Sequence, residues 1–313
     1  MRRSTLIIGI ALAAFLGTFA VKTLLVRPSV DAEPEALGAV TPPATSYRRI
    51  VSLAPSTTEL LFALGLGDRV VGVTRFCTYP PEAKSIAQIG GFSDPNYEAI
   101  LALEPDLAVL LPLHVPHVEP LTALGIDCIV LDEGGIEEIL DAITALGRKC
   151  GVSARASKLR AALEERIKRV RKKVAKCPRP RVLIVIGREY GAGSLVQVSI
   201  AGEKTFYNDL VEAAGGANVY PGVTMAYPAV SAEGIIRLDP DMVLEMIPEG
   251  HGAMEAERLL DAWRNTLPNL EAVKQNRVHI IQEDYVAVPG PRFVQLLEQA
   301  AALLHPEIDW SAP

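Results

Sequence analysis

One pattern of apolar and polar positions occurs twice, in residues 98–110 (EAILALEPDLAVL) and in residues 233–245 (EGIIRLDPDMVLE). Each copy begins with a glutamate, continues with a short helical stretch, and has a Pro-Asp pair before an apolar run. A carboxylate suits the first turn of a helix, and the Pro-Asp pair ends the helix before a buried strand. Matching units in separate halves of the chain predict two similar lobes with a cleft between them.

Short apolar runs alternate with helical patterns throughout the chain. The runs predicted to be strands are 49–53, 70–73, 107–111, 128–131, 182–186, 242–246 and 278–281. This order is typical of parallel sheets covered by helices. Residues 153–176 have apolar positions spaced by three and four, which predicts one long helix with a buried stripe. Ser56, with Glu59 three residues later, is predicted to cap the helix after the first strand.

The predicted fold class is therefore α/β, with two Rossmann-like lobes that contain parallel sheets and are bridged by a single long helix. The predicted boundaries are residues 47–150 for the N-terminal lobe, 151–177 for the linking helix and 178–313 for the C-terminal lobe. Because a single helix is a stiff connection, we expect the lobes to open and close little.

The first 26 residues have the composition of a targeting segment. Arg2 and Arg3 precede an apolar run, and Thr18-Phe19-Ala20 resembles a small-x-small cleavage site. The segment is therefore a cleaved export signal or, as the alternative, a retained N-terminal anchor. Residues 27–46 are rich in Pro, Ala, Ser and Thr, which predicts a disordered linker. We expect the protein in the periplasm or anchored to the outer face of the cytoplasmic membrane.

Composition and motifs exclude several classes of function. The chain carries 31 basic and 37 acidic residues, so nucleic acid is not the expected partner. The basic faces of the long helix indicate a solvated surface, with an anionic surface or membrane partner as the alternative. The sequence has no G-x-S-x-G, no H-E-x-x-H and no Cys-x-x-Cys motif, so we expect no enzyme and no dedicated metal site. His114 and His117 have no third ligand spaced to join them.

Export would permit disulfides between the cysteines. Cys150 and Cys177 flank the predicted long helix, which would hold them on the order of 35 Å apart, so this pair is excluded. Cys128 lies in a strand-like run and is interpreted as a buried thiol, whereas Cys77 lies in a loop. The sequence leaves the other pairings open.

Aromatic residues make up 5% of the chain, yet six of them lie beside predicted strands. These residues are Phe76, Tyr79, Phe92, Tyr190, Tyr227 and Tyr285. Wound parallel sheets bind ligands outside the carboxyl ends of their strands. The group therefore predicts a cleft for a large, flat or apolar ligand, although any single member could simply cover the edge of a core.

Five segments resemble the substrate-binding proteins of ABC importers for cobalamin, ferric siderophores and haem. These segments are RRIVSLAPSTTELLFALGLGDRVVGVTRFCTYPPEA, IGGFSDPNYEAILALEPDLAVLL, VLIVIG, YPAVSAEGIIRLDPDMVLEM and VHIIQEDYVAVPGPR. The resemblance spans roughly Arg49 to Leu304, and the cobalamin-binding subgroup is the nearest in pattern. The chain departs from that subgroup at Phe92, where Trp is common, and in the loop 113–117.

The resemblance implies a non-enzymatic protein that needs no cofactor, captures a corrinoid ligand in the cleft and delivers it to a membrane permease. In this family one surface glutamate per lobe docks on the permease, and Glu98 and Glu233 match those positions. The residues that we predict to contact the ligand are Ser56, Phe76, Cys77, Tyr79, Phe92, Tyr190, Tyr227, Asp284, Tyr285 and Arg292. The expected partners of this monomer are the permease with its ATPase and the small-molecule ligand.

Several alternatives stay open. The ligand could be a ferric siderophore or haem, and the protein could be a membrane-tethered ligand sensor that feeds no transporter. Chelatases and nitrogenase-related oxidoreductases share a two-lobed layout, but the export segment and the lack of a His, Cys and Glu set disfavour them. Each docking glutamate is also explained as a helix-starting carboxylate, which stabilises by only about 0.3–1 kcal/mol.

Overall fold

The strands of the described residues form two separate sheets, each accompanied by helices. The computed structural model describes residues 47–190, 194–222, 225–248 and 256–311. The predicted export segment and the predicted linker lie outside these residues. Among the described helices, none combines the length and the apolar character that a bilayer crossing requires.

The N-terminal lobe contains a parallel sheet. Its strands are β1 (Ile50–Ser52), β2 (Val70–Val73), β3 (Ala87–Gln88), β4 (Leu107–Leu110) and β5 (Asp127–Val130). Its helices are α1 (Pro55–Ala63), α2 (Tyr97–Ala102), α3 (Val118–Ala123) and α4 (Ile136–Lys149). The strand order is β3-β2-β1-β4-β5, with every pair parallel. Strands β1 and β4 are buried at every position, as expected where both faces of a parallel sheet are covered.

The C-terminal lobe contains a mixed sheet. Its strands are β6 (Arg181–Arg188), β7 (Gln197–Ile200), β8 (Ala217–Asn218), β9 (Ala229–Ser231), β10 (Met242–Ile247) and β11 (Val278–Gln282). Its helices are α6 (Phe206–Ala213), α7 (Ala232–Leu238), α8 (Ala256–Thr266), α9 (Glu271–Lys274) and α10 (Phe293–Leu304). The order is β11-β10-β6-β7-β9, and β8 pairs with β6. The α/β prediction is confirmed, and the antiparallel pairings of β7 are an addition to it.

A long helix, α5 (Ser153–Val174), lies between the two sheets in the chain. Its buried positions include Leu163, Ile167 and Val170, which belong to the apolar stripe expected from the sequence. Arg160 forms ion pairs with three carboxylates of α4 and α5, and Arg166 pairs with a carboxylate of α10. Part of the basic surface of α5 is thus occupied by contacts within the protein.

One continuous cluster of buried side chains joins the two lobes. It includes Leu140 of α4, Ile167 of α5, Leu210 of α6 and Leu297 of α10. The outer face of each sheet has a further cluster of its own. Because burying one such side chain contributes about 1.5–3 kcal/mol, separating the lobes would cost several times that amount. This packing supports the expectation of little lobe motion.

The repeated sequence unit forms the same structure in both lobes. In each copy the residue before the proline is left-handed, with φ of 45° in the first and 47° in the second. The following aspartate then binds the start of the first strand of its lobe. Asp106 Oδ1 accepts the Arg49 backbone N–H at 3.0 Å, and Asp241 Oδ2 accepts the Arg181 N–H at 2.7 Å. The Pro-Asp pair therefore connects each helix to the neighbouring strand.

A buried ion pair lies within the second sheet. The side chain of Arg188 is 4% exposed and that of Glu245 is fully buried, with Arg188 Nε donating to Glu245 Oε1 at 2.6 Å. The Trp263 indole N–H donates to the other carboxylate oxygen at 2.7 Å. Both oxygens of Glu245 are thus hydrogen-bonded, as a buried charge requires.

The cysteines of the chain are all described, and each is a free thiol. The exclusion of a Cys150–Cys177 bond agrees with the structure, because these residues stand at opposite ends of α5. The buried thiol of Cys150 has its pKa raised by burial to about 11, so it stays protonated.

Candidate functional site

An apolar cavity of about 680 Å³ lies between the two lobes at the carboxyl ends of the first sheet. The strands of that sheet each contribute lining residues just beyond their ends. These include Ser56 after β1, Phe76 after β2, Phe92 after β3, Leu113 after β4 and Glu133 after β5. The position agrees with the general location of ligand sites in parallel α/β sheets.

The C-terminal lobe covers the other side of the cavity. Tyr227, just before β9, lines the cavity together with Val288 and Pro289 from the segment after β11. Phe76 is 51% exposed and Tyr227 is 50% exposed, which is high for large apolar side chains. Apolar surface of this kind inside a concave site is typical of ligand contact.

Phe92 is held in place by a buried histidine. The backbone N–H of Leu111 donates to His114 Nδ1 at 3.0 Å, and His114 Nε2 donates to the Phe92 carbonyl at 2.7 Å. Burial lowers the pKa of His114, which fits this neutral tautomer. Both ring nitrogens are occupied, so His114 positions the Phe92 loop and does not ligate a metal. His117 Nδ1 bonds the Tyr97 hydroxyl at 2.6 Å.

Three of the predicted ligand contacts surround the guanidinium of a fourth, Arg292, and none of these four residues is in the described lining of the cavity. Arg292 donates to Glu59 at 2.6 and 3.0 Å and to Asp284 at 2.6 Å. The guanidinium carbon lies 3.6 Å from the ring centroid of Tyr79 and 5.4 Å from that of Tyr285. Burial raises the pKa of Glu59, and Arg292 opposes that shift. The cluster connects the two lobes, because Glu59 and Tyr79 belong to the first and Arg292 to the second.

Cys77 and Tyr190 lie away from the described lining of the cavity. Cys77 is buried, receives a hydrogen bond from Thr58 at 3.2 Å, and has its pKa raised by burial. Tyr190 packs against Arg188, whose guanidinium carbon is 5.2 Å from the ring centroid. Burial raises the pKa of Tyr190 to about 12.

The prediction that Ser56 caps α1 is wrong. The helix begins at Pro55, its N-cap residue is Ala54, and no side chain caps it. Proline suits this first helical position because it has no N–H to satisfy. The side chain of Ser56 is therefore not used as a cap, and Ser56 lines the cavity.

Glu133 is a lining residue that the sequence analysis missed. Its Oε2 atom is buried and has no hydrogen-bond partner among the described residues. Burial raises the pKa of Glu133 to about 8, the Ser56 hydroxyl opposes the shift, and the charges of Glu59 and Asp132 add to it. Its position at the carboxyl end of a predicted strand was a signal that could have identified it.

Glu98 and Glu233 occupy equivalent positions in the two lobes. Each is exposed in the first turn of a short helix, α2 or α7, that leads to an inner strand of its sheet, β4 or β10. Asn96 caps α2 and Ser231 caps α7. The Ser231 hydroxyl also donates to Glu233 at 2.9 Å and lowers the pKa of Glu233, so this carboxylate stays ionised.

Two other features of the described structure lie outside this cavity. A groove of about 750 Å³ between α4, α5 and α6 is lined by apolar residues and by charged residues of both signs, and none of its described lining residues directly follows the carboxyl end of a strand. Cys177, His305 and Glu307 place three possible metal-ligating atoms within 4.8 Å of one another, and none of the three lines the cavity. Since parallel sheets bind ligands at the carboxyl ends of their strands, the cavity between the lobes is the candidate site.

The fold and the cavity define a two-lobed solute-binding protein. The sequence matches the periplasmic binding protein family over residues 50–285, and the chain belongs to that family. The resemblance to importer substrate-binding proteins for cobalamin, siderophores and haem is confirmed.

Sequence relatives and a structural neighbour of the chain carry different names. The chain is 30% identical to the cobalamin-binding protein of Halobacterium salinarum over 282 residues, which are 87% of this chain and 73% of the relative. It is 28% identical to an uncharacterised ABC transporter substrate-binding lipoprotein of Bacillus subtilis, over 83% of this chain and 81% of the relative. A periplasmic haem-binding protein of Pseudomonas aeruginosa has a TM-score of 0.72 at 24% identity, covering 84% and 94% of the two chains.

Proposed function

We propose that this protein is the substrate-binding component of an ABC importer on the outer side of the cytoplasmic membrane, and that its ligand is a corrinoid. The observation that carries the proposal is the cavity between the lobes, with the half-exposed rings of Phe76 and Tyr227 on its walls. Aromatic faces of this kind suit a large, flat macrocycle. A preformed cavity loses little conformational entropy when it binds a ligand, so its affinity comes mainly from the contact area. Binding of this kind involves no catalysis.

The charge of the lining favours a corrinoid over the alternatives. The described lining includes two carboxyl residues, Asp132 and Glu133, and no lysine, arginine or histidine. The rim of a corrinoid carries neutral amide groups, whereas haem carries propionate carboxylates and many ferric siderophores are anionic. An anionic ligand would need a cation to offset its desolvation in such a site. The nearby cation, Arg292, is already paired with Glu59 and Asp284.

Haem is the second candidate, and Tyr227 is the feature that favours it. A tyrosine oxygen is one of the groups that can hold haem iron. Burial raises the pKa of Tyr227, however, which disfavours the phenolate that would bind ferric iron. We therefore propose a corrinoid, and not haem, as the ligand.

Calorimetric titration of the purified protein tests the ligand. We expect heat and saturable binding with cyanocobalamin and cobinamide, and none with haemin or a ferric hydroxamate siderophore. Binding of haemin or the siderophore without corrinoid binding would contradict the corrinoid assignment. The protein would then still be a substrate-binding protein, for a different ligand.

Truncating the cavity aromatics tests the site. Phe76→Ala and Tyr227→Ala should each weaken cyanocobalamin binding by up to about tenfold, because a stacked ring contributes about 0.5–1.5 kcal/mol. Val196→Ala removes an exposed apolar side chain outside the described lining and is the control. Unchanged dissociation constants in both aromatic variants would place the ligand elsewhere.

The other roles predicted from the sequence complete the proposal. Ser56 and Phe92 would contact the ligand from the cavity wall. Arg292, which was predicted to contact the ligand, would instead hold the lobes around it through Glu59. Glu98 and Glu233 would dock on the permease, supported by their equivalent exposed positions at the starts of α2 and α7. Exposed carboxylates suit weak, electrostatically steered encounters with basic pockets.

A further inference from the structure

We infer that Glu133 orients the ligand in the cavity by donating a hydrogen bond, as the carboxylic acid, to a neutral oxygen acceptor such as a corrinoid side-chain amide. The inference rests on the proposed function and adds a specificity-determining residue to it.

The position of Glu133 supports this role. The residue follows β5, lines the cavity, and lies on the same wall as Ser56 and Leu113. Its Oε2 atom is buried and lacks a hydrogen-bond partner among the described residues. Because buried polar atoms are nearly always satisfied in folded proteins, an unpaired oxygen at the edge of a ligand cavity indicates a partner that the ligand supplies.

The surroundings favour the neutral acid. Glu59 on α1 and Asp132 beside it place negative charge near Glu133. Across the cavity stands the neutral phenol of Tyr227. Arg292 is hydrogen-bonded to Glu59 and Asp284, so these two carboxylates largely offset its positive charge at the position of Glu133. The protonated form accordingly dominates below about pH 8.

A protonated carboxyl group makes the cavity selective. It has one O–H donor, which an amide oxygen of the ligand can accept. A site built around a hydrogen bond rejects analogues that lack the partner group, since the buried atom is then left unpaired. Once Glu133 ionises, the donor is lost and a charge is buried, so binding weakens.

The experiment measures cyanocobalamin affinity from about pH 6 to about pH 10 for the wild type and for variants. For the wild type we expect constant affinity below pH 8 and a fall of about tenfold per pH unit above it, because only the protonated form binds well. Glu133→Gln keeps a donor and should bind within about threefold of the wild type at pH 7, with a flat profile. Glu133→Ala should bind about tenfold more weakly at pH 7.

Two controls separate the possible results. Glu138→Gln changes an exposed carboxylate on α4, outside the described lining, and should keep the wild-type profile. Infrared spectroscopy of the ligand-free protein should show a protonated carboxyl band at pH 7 that disappears in Glu133→Gln, which does not depend on ligand binding.

Three results would overturn the inference. If the wild-type affinity does not change with pH and Glu133→Ala binds as tightly as the wild type, Glu133 has no role in ligand recognition. That result would not contradict the proposed corrinoid carrier. Absence of the carboxyl band from the wild type would show that Glu133 is ionised and cannot donate. Absence of any cobalamin binding by the wild type would refute the proposed ligand and this inference together.

Discussion

Replacing Glu245 with alanine should lower the free energy of unfolding by about 3–5 kcal/mol, because it leaves the guanidinium of Arg188 buried without a counter-charge. The same substitution removes the acceptor of the Trp263 indole N–H. Since a domain is stable by only about 5–15 kcal/mol, the loss is a large share of the total. Guanidinium denaturation followed by circular dichroism measures it.

A matched control lies on the surface. Glu257→Ala breaks an ion pair with Arg264 in which both side chains are largely exposed, and it should change stability by less than about 1 kcal/mol. The double change Glu245→Leu/Arg188→Met should recover much of the loss, because it removes both buried charges. A loss below about 1 kcal/mol for Glu245→Ala would mean that water reaches Arg188 in solution.

The double change Glu98→Ala/Glu233→Ala should abolish cobalamin uptake while leaving cobalamin affinity unchanged. Both side chains are exposed at helix starts and neither lines the cavity, so their loss removes charge from the proposed docking surface alone. Each single change should reduce uptake only in part, because one carboxylate remains. Uptake of labelled cobalamin by cells that carry the cognate permease and ATPase measures the effect, and calorimetry measures affinity.

Glu82 and Glu271 supply the control for this experiment. Each is an exposed glutamate in the first turn of a short helix, one in each lobe. Glu82→Ala/Glu271→Ala should therefore transport normally. A parallel fall in affinity and uptake would contradict the docking role of Glu98 and Glu233. Normal uptake by Glu98→Ala/Glu233→Ala would contradict the docking role as well. Absence of uptake even by the wild type would favour the ligand sensor.

The fold was predictable from local patterns. The apolar run Leu107–Leu110 and the spacing of buried positions in α5 each determine an element by themselves, because burial follows the period of the backbone. Strands β7 and β9 were missed because polar and exposed positions interrupt them, so they form no continuous apolar run, unlike β1 and β2 of the same lengths.

The candidate site was predictable only in part. Ser56, Phe76, Phe92 and Tyr227 line the cavity, and their positions near strand ends can be read from the sequence. Their contact with a ligand stays a prediction. The pairing of Arg292 with its carboxylate partner joins residues 233 positions apart, and no local rule predicts such a contact. Glu133 follows a predicted strand, but the burial of its carboxyl group arises from packing that no local pattern shows.

The shared core and the Arg292 bridge bear on how cargo would leave this carrier. Wide separation of the two lobes would expose packed leucines of the shared core and break the contact between the Arg292 guanidinium and Glu59. Spontaneous dissociation of the ligand should therefore be slow. Release would depend on the transporter, which can use ATP hydrolysis to separate the two lobes.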